Sequence, residues 1–198
     1  MAKSSWTADS IRGEGGFSLL ETLVATSILT VALAALAQLF AISTQANSKA
    51  RATSYATVLA QQKMEQLRSM TYGFDNLGLP ISDTSTDITV VPEKVTGGKG
   101  LSPSPPGSLN ANTGGYCDFV DKSGNTLSAG NLGTAPPADT VYIRRWSIEP
   151  LPTNPNDTLV LQVLVTRSRN RGSADAATDV KRLPDEARII SVKTRKAT

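Results

Sequence analysis

From Thr22 to Ile42 the chain carries no ionisable side chain, and the run is long enough for the roughly 20 residues a helix needs to cross a bilayer. This stretch constrains the chain more than any other, because it has to be covered by lipid or by other apolar helices. Glu21 stands at its N-terminal edge. A carboxylate at the centre of such a helix costs about 2.5 to 3.5 kcal/mol on insertion scales, which makes a residue at its edge a functional candidate. An apolar run closed by Ala35-Leu36-Ala37 also matches a conventional signal peptide, which would be cut before Gln38 to release a soluble protein. Lys3 and Arg12 would serve that reading as a basic n-region, whereas Asp9, Glu14 and Glu21 oppose it.

Helical spacing continues past the apolar run. Leu39, Ile42, Ala46, Ala50, Thr53, Ala56, Leu59, Lys63, Leu67 and Met70 fall on one face, with Gln, Lys, Arg and Ser on the others. No proline occurs before Pro80, and Gly73 is the expected stop. One helix from Phe17 to about Met70 is therefore predicted, apolar all round in its first half and amphipathic in its second. Ala25, Ala32, Ala34, Ala35, Ala37 and Ala41 keep the first half thin, which suits close helix packing in a membrane.

Beyond the helix, residues 73–139 read as a loop-rich region. It holds short strands at Asp87–Val91 and Tyr116–Val120, and a surface loop of little order from Gly97 to Gly115. Residues 140–198 form the clearest β region. Thr140–Glu149, Thr158–Arg167 and Ala187–Thr194 are rich in β-branched and aromatic residues, and Pro150, Pro152 and Pro155 turn the chain between the first two. One sheet face is expected to take Val141, Ile143 or Trp146, Ile148, Leu159, Leu161, Val163 and Ile189, and to pack on the amphipathic half of the helix. The predicted fold class is α+β.

Composition excludes much chemistry. Histidine is absent, which removes His-based triads and most transition-metal sites. Cys117 is the only cysteine, so an intramolecular disulfide is ruled out. Gly97-Gly98-Lys99-Gly100 lacks the spacing of a phosphate loop. No constellation of carboxylate, serine or lysine suggests an enzyme, and neither cofactor, metal nor small-molecule substrate is expected. Arg144, Arg145, Arg167, Arg169, Arg171, Lys181, Arg182, Lys193, Arg195 and Lys196 could form a basic stripe for phosphates. Few aromatics accompany them, and solvated edge charges are the simpler reading, so nucleic acid is not an expected partner.

Gly15-Gly16-Phe17-Ser18-Leu19-Leu20-Glu21, leading an apolar helix, resembles the class III signal of type IV pilins and type II secretion pseudopilins. The resemblance implies a leader, residues 1–16, removed by the prepilin peptidase between Gly16 and Phe17, with N-methylation of the new terminal Phe17. Residues 17–42 would be the membrane-spanning and filament-core helix, and 43–72 its amphipathic continuation. Glu21 would be the fifth residue of the mature chain and would pair with the terminal amine of a neighbouring subunit during assembly. The implied partners are other pilin or pseudopilin subunits and an inner-membrane assembly platform. The implied location is single-pass in the inner membrane with a periplasmic C-terminal domain, then a filament. The C-terminal strands are loosely similar to minor pilins of the PilV class and to pseudopilin I. A minor pilus subunit, a pseudopilin of a secretion or DNA-uptake machine, and an anchored or secreted periplasmic binding domain unrelated to filaments all remain open.

Overall fold

The computed structural model describes residues 16–127, 133–168 and 186–196. The rest of the implied leader lies outside these, as do Arg169, Arg171, Lys181 and Arg182. The chain divides into two compact units, Met1–Ala46 and Asn47–Thr198.

Helix α1 spans Leu19–Ser69, within two residues of the predicted bounds at each end. In the first unit every described residue is exposed, including Leu23, Ile28, Leu33 and Phe40. This half has a mean hydropathy of 2.1 over its apolar window, making α1 long and apolar enough to cross a membrane. Its hydroxyls from Thr22 to Thr30 are satisfied inside the helix. Thr26 and Thr30 donate to the carbonyls of Thr22 and Thr26, at 2.9 and 2.7 Å, and Ser27 donates to Leu23 at 2.7 Å. A polar side chain bonded in this way leaves no orphan donor for an apolar environment.

The second unit holds the rest of α1 and all strands. Burial on the helix begins only at Ala52, so 43–51, expected to belong to the packed face, is exposed. Ala56, Leu59, Ala60, Lys63, Met64 and Leu67 are the buried helical residues, spaced by three and four as one helix face requires. The helix ends before Gly73, which lies instead in a short hairpin of β1 (Tyr72–Phe74) and β2 (Pro80–Ser82).

The main sheet contains β3 (Cys117–Val120), β4 (Thr126–Leu127), β5 (Tyr142–Leu151), β6 (Asn154–Arg167) and β7 (Ala187–Thr194), in the order β4-β3-β5-β6-β7 with every pair antiparallel. Strand β7 agrees with the sequence reading residue for residue, β3 starts one residue late and β5 is shifted by two residues. Strand β6 begins at Asn154, before the expected Thr158, and of the three prolines expected to turn the chain only Pro152 does so; Pro150 and Pro155 lie inside β5 and β6, because the ladder between these strands runs on to Leu151 opposite Asn154. Asp87–Val91 is not a strand. Only an isolated bridge between Asp87 and Lys94 forms there, because Asp87 turns its carboxylate onto the Thr89 amide and hydroxyl, at 2.9 and 2.6 Å.

The face that packs on α1 takes Trp146, with Tyr142, Ile148, Leu159, Leu161, Val163 and Val165 in one core with Leu59, Met64 and Leu67. Ile143 cannot share that face, since it is an odd number of residues from Trp146, and it packs behind the sheet with Cys117 and Phe119. The loop from Gly97 to Gly115 is tied down rather than free. Leu101 and Ser108 are buried, Ser104 bonds both polar groups of the Ile148 backbone, and the Tyr116 hydroxyl reaches the carbonyls of Ser102 and Pro103. Gly98 is required here, because a Cβ would meet the Asp87 Cα at 2.2 Å.

Candidate functional site

At the start of α1, Ser18 is the N-cap. Its Oγ accepts the Glu21 N–H at 3.2 Å, and its carbonyl accepts the Thr22 N–H at 3.2 Å. Ser18-x-x-Glu21 has the spacing of a capping box, and a carboxylate in the first turn is favoured by the helix dipole. Glu21 therefore has a local role that the sequence reading did not assign, although the four letters were enough to find it. Gly16 and Phe17 precede the helix. Phe17 is 82% exposed, and nothing lies within 4 Å of the place where a Cβ on Gly16 would sit.

A second constellation lies in the Asn47–Thr198 unit and escaped the sequence reading. Lys63 of α1, counted there only as part of a helical spacing, is 1% exposed. Its Nζ contacts the Asp118 Oδ2 at 2.9 Å, the Gln66 Oε1 at 2.5 Å and the Ile88 carbonyl at 2.6 Å, and it stands 4.8 Å from the centroid of the Trp146 ring. Asp118 lies at the centre of the group. Arg144 of β5 grips it with two parallel bonds, Nε to Oδ1 at 2.7 Å and Nη2 to Oδ2 at 2.8 Å, and also reaches Gln62 and Thr126. Strand register places this pair, because Asp118 sits directly opposite Arg144.

Two cations share one anion in this buried interior. The outlying carboxylate is Glu93, reached through Gln66, whose Nε2 donates to it at 2.5 Å. Burial brings the Lys63 ammonium down to about 8; Asp118 opposes that shift and Arg144 adds to it. Burial pushes the Asp118 carboxyl upward, but Lys63 and Arg144 outweigh it and hold the group below the usual carboxylate range. Such an arrangement fixes register between helix and sheet. It offers no open path to a substrate, since Lys63, Asp118 and Arg144 have side chains at most 3% exposed. Cys117 is equally enclosed, and burial, followed by the Asp118 charge, pushes its thiol up to about 11, far from the thiolate a nucleophile needs.

The supposed basic stripe loses its best members to this packing. Arg144 is buried in the network, Arg145 is half-buried and donates to Asn112 at 2.9 Å, and Arg195 stacks on Tyr72 at 4.1 Å while bonding the carbonyls of Gly73, Ile81 and Asn156. Among the described residues no cluster of three His, Cys, Asp or Glu could hold a metal ion. No family model, no curated protein and no solved structure matches the chain.

Proposed function

We propose that the chain is a minor structural subunit of a type IV pilus or a closely similar filament. It enters the inner membrane through the apolar half of α1, is cut between Gly16 and Phe17, is methylated on Phe17, and polymerises by helix bundling. The observation that carries this reading is Gly16-Phe17-Ser18-Leu19-Leu20-Glu21 at the head of a helix half that buries none of its own apolar side chains. Those side chains are free to meet lipid first and neighbouring helices afterwards. The exposed, non-helical Gly16–Phe17 bond suits a peptidase that must draw the chain into its cleft, and in this reading Glu21 pairs with a neighbour's new terminal amine.

The test is the intact mass and N-terminal sequence of the protein from cells with and without a prepilin peptidase. The proposal expects a chain beginning at methylated Phe17 only where the peptidase is present. A chain beginning at Gln38, or at Met1 in both strains, overturns it. Glu21→Gln then separates the two roles of Glu21, because glutamine also serves a capping box. The variant is expected to insert and be cut but to drop out of filaments, as scored by sheared-filament immunoblots. Full incorporation would leave Glu21 with its local role alone.

A further inference from the structure

Strand β7 ends the five-stranded sheet, and among the described residues only β6 pairs along its length. The pairing runs from Thr158 opposite Thr194 to Val165 opposite Ala187 with no register shift, so no bulge twists this edge away. No proline interrupts it either. Natural edges are commonly guarded by charges reaching outward. Here the two candidate guards turn back on their own chain: Arg188 donates to the Gln162 side chain, and Lys193 to the Arg68 carbonyl at the end of α1.

Among the described residues, the outer face beside this edge is largely exposed. Ile190 and Val192 are 58% and 56% exposed, next to half-buried Val160 and Leu164. On the same side of the sheet Cys117, Phe119, Ile143 and Ser147 are buried, as is Thr166 of β6, so among the described residues the cover thins across β6 and is least over β7.

Charge selects the occupant. Every charged residue from 187 to 196 is basic, namely Arg188, Lys193, Arg195 and Lys196; Arg195 is ion-paired with Asp157, but the hydrogen bonds of Arg188 and Lys193 go to uncharged acceptors and leave their positive charge in place. A second copy of β7 would set these cations against their own kind, whereas an acidic strand would meet them with complementary charge. We propose that the β7 edge docks an extended, acidic segment of another protein, which joins the sheet as a further strand and covers Ile190 and Val192. Main-chain bonds would supply affinity, and alternate apolar side chains would settle on the exposed face. This inference does not depend on the filament reading.

The test uses the full chain in detergent and two capped octapeptides, one alternating valine with glutamate and the other valine with lysine. Fluorescence anisotropy should show saturable binding of the glutamate peptide at least tenfold tighter than the lysine peptide. The double variant Ile190→Glu, Val192→Glu should lose that binding at least tenfold with an unchanged far-ultraviolet dichroism spectrum. Equal binding of both peptides, or of neither, overturns the proposal. An Ile190→Cys variant reports the other occupants. A disulfide-linked dimer forming in place of peptide binding would assign the edge to a second copy. Protection of the introduced thiol by the chain's own 169–185 segment, relieved on cleaving it, would assign the edge to that segment; either result overturns the proposal.

Discussion

The two halves of α1 share a backbone and differ in almost everything else. From Leu19 to Ile42 the helix is apolar on every side and buries nothing; from Ala56 to Leu67 it buries one face and carries a lysine in the middle of it. The first half is determined by composition alone, since a helix of this hydropathy needs an apolar surround whatever its neighbours are. The second half is determined by its partners. Lys63 on an apolar face makes sense only with Asp118 on one strand and Arg144 on the next. A hydrophobic surface can be read one residue at a time, whereas a charge network has to be read as a group.

Breaking the network should have the largest effect. Asp118→Ala leaves Lys63 and Arg144 as neighbouring cations in a buried core, and loss of one partner from such a group costs about 3 to 5 kcal/mol. Chemical denaturation of the full chain in detergent should show that loss, and a change below about 1 kcal/mol would mean that the network relaxes into solvent.

The same substitution made in each half sharpens the contrast. Leu67→Ala, at a fully buried site, should cost the sheet unit about 2 to 5 kcal/mol. Leu29→Ala, at a site 58% exposed, should leave unfolding of that unit within about 0.5 kcal/mol of the parent. Equal effects would erase the distinction between the halves.

Lys63 also predicts a pH dependence. Its folded pKa of about 8 lies below the ordinary 10.5, so between these values the unfolded chain keeps a proton that the folded chain has released. Stability from this group therefore rises with pH across that window, by at most about 1.4 kcal/mol per pH unit for one proton. Below pH 8 both states are protonated and the contribution is flat. Subtracting the stability curve of Lys63→Met from that of the parent should isolate this rise, and a difference without slope between pH 8 and 10 would show that Lys63 stays charged.

The smallest effect belongs to the helix start. Ser18→Ala removes the cap on the Glu21 amide and should weaken the first turn by about 0.5 to 2 kcal/mol, with Ser18→Thr recovering most of it. Amide hydrogen exchange at Glu21 and Thr22 reads this directly.

Much of this was legible in the letters. Periodicity gave α1 to within two residues, and β-branched alternation gave β5, β6 and β7, because both signals come from covalent geometry repeated along the chain. Ser18-x-x-Glu21 also has the letters of a capped helix start, a signal the sequence reading did not use. The short strands β1, β2 and β4 were not legible. Each has two or three residues, too few for any period, and each exists only because a neighbour supplies hydrogen bonds. Asp87–Val91 looked like a strand by composition, yet its aspartate found a closer partner in its own backbone.

What the sequence determined by itself is local: the apolar span, its leading carboxylate, the long helix and the three long strands. What only the tertiary structure decided is which residues stand opposite each other. Register set Asp118 against Arg144, burial placed Lys63 beside Asp118, and the same packing drew Arg145 and Arg195 away from a surface stripe. A residue's spacing is written in its own segment, but its partner is chosen by the sum of all contacts that close the core.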